Sequence, residues 1–283
     1  MTVNMNVLRE WVGKTQEAED IVTPRLVAAF RATFAPHLAP TAEKEAPLAL
    51  HWCLAPQAAS STELGIDGHP TKGGFLPPIP LPRRMWAGGE VEFLSPLSTG
   101  DTIVRRSTIG GIRMKDGRTG ELCFVEVHHE YLRGHVVCIR ERQDIGFRHA
   151  ASAAQKQSPA APSARADRFN ADTSWTVDAS AVRLFRYSAL TFNGHRIHYD
   201  LPYAKNAEGY DGLVVHGPLQ ASLLLNLAAT MAKRPPKRFR YRGIAPLLAG
   251  QNFEVCGRHE HSRELTLWAA GSSASITMQA TAE

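Results

Sequence analysis

The sequence is poor in most features that mark specialised chains. Its 283 residues include four cysteines, Cys53, Cys123, Cys138 and Cys256, and no two form a CxxC pair. Zinc-ribbon spacing and a dense disulfide framework are thereby excluded. No apolar stretch approaches the roughly 18 residues that cross a bilayer. The opening MTVNMNVLREW lacks the apolar core of a secretory signal. A reduced, cytoplasmic protein with no membrane partner is expected. Charge of one sign is also scarce, with 32 Lys+Arg against 27 Asp+Glu, a net +5. That small excess suits an anionic ligand such as a phosphorylated cofactor, and no nucleic-acid partner is expected. What is present is ordinary for a globular chain, 43% hydrophobic and 21% charged residues, enough for two modest cores.

Residues 150–166, AASAAQKQSPAAPSARA, carry no large apolar side chain. Such a stretch has no face to bury and reads as a flexible linker. It divides the chain into an expected N-terminal domain, 1–149, and a C-terminal domain, 167–283. In the first, TPRLVAAFRATF (23–34) has Thr at the N-cap, Pro at the first helical position and a periodic apolar face. The stretch DGHPTKGGFLPPIPLPRRMWAGG (67–89) carries five prolines after His69, which argues against a helix or a central strand there. Four strand-like runs follow, with KDGRTG and LRGH as turns. In the second domain, GPLQASLLLNLAATMAK (217–233) repeats Leu219, Leu223, Leu224, Leu227 and Met231 at helical spacing. Three further strands are expected after it. Strands segregated from helices indicate an α+β fold.

The densest group of reactive side chains is YSALTFNGHRIHYDLPYA (187–204), followed by His216-Gly217 where the apolar helix begins. Free N–H groups at a helix start can stabilise an oxyanion, and a nearby histidine can move protons near neutral pH. Metal binding, structural histidines and acid/base chemistry on a thioester are three readings of this pattern.

The same residues resemble the signature of the MaoC-like, (R)-specific enoyl-CoA hydratase (hydratase 2) family, Asp-x-Asn-Pro-x-His-x-Asp-x-x-x-Ala followed by a His-Gly that opens a central helix. His198, Asp200, Ala204 and His216-Gly217 match. Asn193, His195 and Arg196 stand where the family has Asp, Asn and Pro. FLPPIPLPRRMWAGGEVEFLSPLSTGD and YSALTFNGHRIHYD further resemble the subgroup that hydrates mesaconyl-C4-CoA or itaconyl-CoA, and the related mitochondrial-type hydroxyacyl-thioester dehydratases. The resemblance implies a double hot-dog, two antiparallel sheets each wrapped around a central helix. It implies reversible addition of water to a 2-enoyl-CoA, with citramalyl-CoA as the product of those substrates.

By position, His198 is then the acid/base and Gly217 the oxyanion donor. An amide cannot act as a base, so the role left open at Asn193 has two candidate solutions. Either His198 acts alone while Asn193 positions the water, or Asp67 reaches the site from its loop in the first domain. A free substrate carboxylate calls for Arg83 or Arg84, with Trp86 as an apolar wall. Tyr187, Ser188, His195 and His216 complete the expected substrate site. Lys233, Arg234, Lys237, Arg238, Arg240 and Arg242 form a candidate rim for the CoA phosphates. No metal and no cofactor apart from the substrate's CoA is expected, and a homodimer or larger homo-oligomer is. The alternatives are a 3-hydroxyacyl-thioester dehydratase of fatty-acid synthesis and a non-catalytic acyl-CoA-binding hot-dog module.

Overall fold

A computed structural model describes residues 5–117, 120–149, 170–260, 264–272 and 274–283, so the proposed linker 150–166 lies outside the described residues. The helices are α1 (Met5–Arg9), α2 (Pro24–Phe34), α3 (Ala181–Thr191), α4 (Leu201–Asn206) and α5 (Gly217–Ala232). The strands are β1 (Thr15–Ile21), β2 (Arg83–Phe93), β3 (Thr102–Gly117), β4 (Gly120–Arg133), β5 (Val136–Arg148), β6 (Thr173–Val177), β7 (Arg238–Gly243), β8 (Phe253–His259), β9 (Leu265–Ala270) and β10 (Ile276–Ala282).

All ten strands join one sheet in the order β1-β3-β4-β5-β2-β7-β10-β9-β8-β6. The α+β, double hot-dog arrangement is therefore present, but as one continuous sheet where two separate sheets were expected. The join is β2 against β7, antiparallel from Gly88↔Arg242 to Glu92↔Arg238. Backbone hydrogen bonding across this seam satisfies two strand edges that would otherwise be open.

The helix content is also asymmetric. Helix α5 buries Leu219, Leu223, Leu224, Leu225 and Leu227. Burying each such side chain stabilises the fold by about 1.5–3 kcal/mol. The first half has no counterpart of that length among the described residues. Between α2 and β2 it makes two short 3₁₀ turns, Leu50–Cys53 and Ser61–Glu63, in otherwise irregular chain. The expectation of a central helix in each half is corrected here, since residues 54–82 hold too much Pro and Gly to sustain one.

Helices α2 and α3 start alike. Thr23 and Ser180 each accept a hydrogen bond from the N–H three residues on, at 3.1 and 3.4 Å, which satisfies an orphan donor of the first turn. The two helices also pack against each other, with Phe34 set edge-on to Tyr187 at 5.8 Å.

Three expectations about strands change. The prolines of the 67–89 stretch end at Pro82, and β2 begins at Arg83 and occupies the middle of the sheet. The run FRYRGIAPLLAGQNFEVCGRHE is two strands, because Pro246 and Gly250 (φ +100°) turn the chain between β7 and β8. Strand β1 is an additional strand, polar and at the edge, where neither face needs a long apolar run.

Candidate active site

The expected helix start is intact. His216 is the N-cap of α5 and makes no side-chain cap hydrogen bond. The first-turn N–H groups, Gly217 foremost, remain available to an outside acceptor. Glycine is required here by contact. A Cβ on residue 217 would lie 2.9 Å from Cε3 of Trp86. Trp86 itself stacks on Tyr241 at 4.2 Å and meets Trp52 edge-on at 5.6 Å. Thus an aromatic wall borders the helix start, and two of its members come from the first half.

Beside that wall runs a row of imidazoles. His216 stacks on His198 with centroids 3.5 Å apart, His198 meets His195 edge-on at 5.4 Å, and His195 lies 4.2 Å from His69. The 3₁₀ turn Arg196–His198 carries His198 inward, and Asp200 caps α4 just after it through a 3.0 Å bond from Tyr203 N–H. His198 Nδ1 lies 2.7 Å from the Val214 carbonyl. A carbonyl only accepts, so Nδ1 carries the proton and Nε2 keeps its lone pair. Burial pushes the His198 pKa down to about 4 and that of His195 to about 2. Both rings are neutral at pH 7. Ser188 Oγ lies 2.9 Å from His216 Nε2 and closes the row at that end, with Tyr187 packed edge-on to His216.

The other end is closed by a residue pair from the first half. Asp67 accepts from the His69 N–H at 3.1 Å and lies 3.0 Å from His69 Nδ1. Burial alone would raise the Asp67 pKa, but the hydrogen bonds from His69 hold it down to about 2. The carboxylate fixes the His69 tautomer and leaves Nε2 free to accept. The Asp67 loop reaches this place by close backbone contact. Arg196 N–H donates to Asp67 O at 2.9 Å, and a Cβ on Gly68 (φ +86°) would collide with the Gly194 carbonyl.

Asn193 has a structural contact of its own. Its Oδ1 accepts from His195 N–H at 2.9 Å and closes the turn that presents His195. His69 did not stand out in the sequence, although it lies two residues from Asp67 in GIDGHP. Asp67, His69 and His195 place one ligand atom each within 4.8 Å of one another, the composition of a metal set. Both Asp67 oxygens are already engaged by His69, so the carboxylate serves an imidazole in this arrangement.

The arginines separate. Arg83 is buried and forms a 3.0 Å ion pair with Glu208, besides donating to the Glu208 carbonyl. That pairing withdraws it from the expected substrate-carboxylate role. Arg84 acts on the cluster through its charge. Burial brings its pKa down to about 10 against the attraction of Asp67, and its charge acts on both His69 and His195.

The expected phosphate rim does not hold together. Lys233, Arg234 and Lys237 follow the C-terminus of α5, about 24 Å from Gly217 at 1.5 Å per residue. They line a separate cavity there. Arg238 and Arg240 form ion pairs with Glu90 and Glu283. Arg242 opens onto a groove on the sheet, together with Arg113 and Trp268. Among the described residues no helix is long and apolar enough to cross a membrane.

Comparison with known proteins agrees with this geometry. Residues 49–249 match the family Htd2, hydroxyacyl-thioester dehydratase type 2. A mesaconyl-C(4)-CoA hydratase of Chloroflexus aurantiacus is 40% identical over 274 residues, 96% of each chain. The structure of a MaoC-like dehydratase from Phytophthora capsici covers 99% of this chain and 98% of its own, with a TM-score of 0.69 and 15% identity. A Mycobacterium tuberculosis protein described as a double hotdog fold covers 96% of each chain, with a TM-score of 0.55 and 13% identity. By the span of the family match and the near-complete alignment to a 40%-identical relative, the chain belongs to the hydroxyacyl-thioester dehydratase type 2 family.

Proposed function

We propose that this protein is a hydro-lyase that adds water reversibly to a 2-enoyl-CoA, with mesaconyl-C4-CoA, the substrate of its C. aurantiacus relative, as the preferred type. The observation that carries the reading is His198. Its Nδ1 is engaged by Val214, its ring is neutral, and it stacks on the residue that opens α5. In the hydration direction Nε2 of His198 takes a proton from water as the oxygen bonds to C3. The C2–C3 π electrons move toward the thioester, and the resulting enolate oxygen accepts from Gly217 N–H. A proton then returns to C2, and the thioester carbonyl is restored. The Asp67–His69 pair supplies the carboxylate-linked imidazole that Asn193 cannot provide, and it holds the water from the opposite side.

Arg84 supports the dicarboxylic substrate. In mesaconyl-C4-CoA the free carboxylate sits on C3, the carbon that water attacks. The cation that binds it belongs beside the water-holding groups, and the charge of Arg84 is felt by Asp67, His69 and His195. CoA enters as part of the substrate, and the scheme draws on no further cofactor. Pairing along β2–β7 already brings two hot-dog units together within one chain, so a homodimer would be additional to the site.

The assay is loss of conjugated absorbance on mesaconyl-C4-CoA and on crotonyl-CoA, which lacks the carboxylate. His198→Ala is expected to lower kcat by about 10²–10⁴ on both. Asp67→Asn is expected to lower it by a smaller factor on both. Arg84→Ala is expected to raise KM for mesaconyl-C4-CoA and leave crotonyl-CoA nearly unaffected. Full turnover by His198→Ala would remove the proposed base.

A further inference from the structure

The two halves are related by more than element order. Residues 91–103 read VEFLSPLSTGDTI and residues 241–253 read YRGIAPLLAGQNF, with Pro96 and Pro246, Leu97 and Leu247, Gly100 and Gly250 in step. Their backbone contacts repeat as well. Ala46 N–H donates to Leu97 O at 2.8 Å, and Val215 N–H to Leu247 O at 2.8 Å. Thr99 N–H donates to Lys44 O at 2.9 Å, and Ala249 N–H to Leu213 O at 2.8 Å. Isolated bridges join Glu45 to Ser98 and Val214 to Leu248.

This correspondence puts Pro47 and Leu48 where the second half has His216 and Gly217. The start of α5 thus has a counterpart position in the first half that carries neither the histidine nor a long helix. A space remains at that place, a cavity of about 620 Å³ lined by Pro47, Leu48, Phe93, Leu97 and His51. Its volume lies in the range of small-molecule sites.

Two features of the cavity are unlike ordinary core. The first is His51, 1% exposed, with neither ring nitrogen hydrogen-bonded. Buried polar groups nearly always have partners, so this ring awaits one. The second is the rim, where Lys233, Arg234 and Lys237 gather. Among the described residues none of these three is in an ion pair, and Glu45 is the one acid lining the space. Apolar walls, a cationic entrance and an unmatched imidazole together select an apolar molecule with a carboxylate.

We infer that the cavity at the first-half counterpart of the α5 start is a second, non-catalytic binding site for a small apolar carboxylate, drawn in by Lys233, Arg234 and Lys237 and hydrogen-bonded by His51. The ring of Trp52 lies 4.8 Å from that of His51 and 5.6 Å from that of Trp86, which borders Gly217.

Equilibrium dialysis of the full chain with radiolabelled octanoate tests it. One saturable site per chain is expected. The surface variant K233Q/R234Q/K237Q and, separately, His51→Phe should each weaken binding at least tenfold, while His198→Ala leaves it unchanged. Octanol, the same chain without charge, should bind at least tenfold more weakly than octanoate. Turnover of mesaconyl-C4-CoA by His51→Phe should match the unmodified protein. No saturable binding, or binding lost in His198→Ala and kept in the charge variant, overturns the inference. Either result leaves the hydratase reading standing, since that reading is judged by turnover.

Discussion

Each half of the sheet is built as one strand, an 11-residue helix and then four strands, yet the halves use the space between the helix and the second strand differently. The second half fills it with the catalytic turn and the apolar α5. The first half fills it with two short 3₁₀ turns and a long irregular chain, which lays Asp67 and His69 beside the histidines of the other half. Losing a central helix therefore freed backbone to complete a site elsewhere. The lesson is that duplicated units can divide the work, one keeping the reacting groups and the other supplying their surroundings.

The comparison is broken most severely at the paired helix-start positions. Gly217→Val drives a side chain into Trp86 and removes the oxyanion donor geometry. A loss of at least about 10²-fold in kcat is expected, the range for a lost oxyanion donor. Leu48→Val, at the corresponding first-half position, should keep kcat within about twofold in the same assay. Stability divides along the same line. Leu223→Ala in the fully buried α5 should cost about 2–5 kcal/mol in denaturant unfolding. Ile66→Ala, 83% exposed in the first-half loop, should cost under about 0.5 kcal/mol.

Acid sharpens what the halves share. Burial lowers the pKa of His51 and His129 in the first half to about 3, and in the second half that of His195 to about 2 and of His198 to about 4. An unfolded histidine titrates near 6.5, so below that pH the unfolded chain takes up protons that the folded chain refuses. Stability is complete above about pH 6.5 and declines as the pH falls toward 4. Tm measured from pH 8 to pH 4 should be flat and then drop. A flat Tm throughout would mean these rings are not buried. The helix caps give the most symmetric effect. Thr23→Ala and Ser180→Ala remove equivalent caps and should each cost about 1 kcal/mol in thermal unfolding.

Local features were legible in the sequence because their causes are local. The spacing of Leu219, Leu223, Leu224 and Leu227 announces α5, and Thr23-Pro24 announces the start of α2. The His198 and His216-Gly217 pattern marks the reacting end of the site. Long-range features were not legible. Strand β1 is polar because it is an edge, β2 is masked by the prolines before it, and the seam depends on which edges meet. Asp67 lacked its partner His69 because a dyad in a proline-rich loop looks like turn chemistry until that loop is seen against Gly194 and Arg196. Arg83 and Arg84 are neighbours in sequence and in one strand, where successive side chains point to opposite faces. One therefore meets Glu208, and the other acts on the site through its charge.

The docking of Gly68 against Gly194 has a consequence for anyone working with pieces of this gene. A fragment that encodes only the second half would retain the whole recognisable hydratase signature and its histidines. It would still arrive without the Asp67 carboxylate, the Arg84 cation and the Trp86 ring. Motif content would nominate that fragment as an enzyme, and the assay tube would hold half of one.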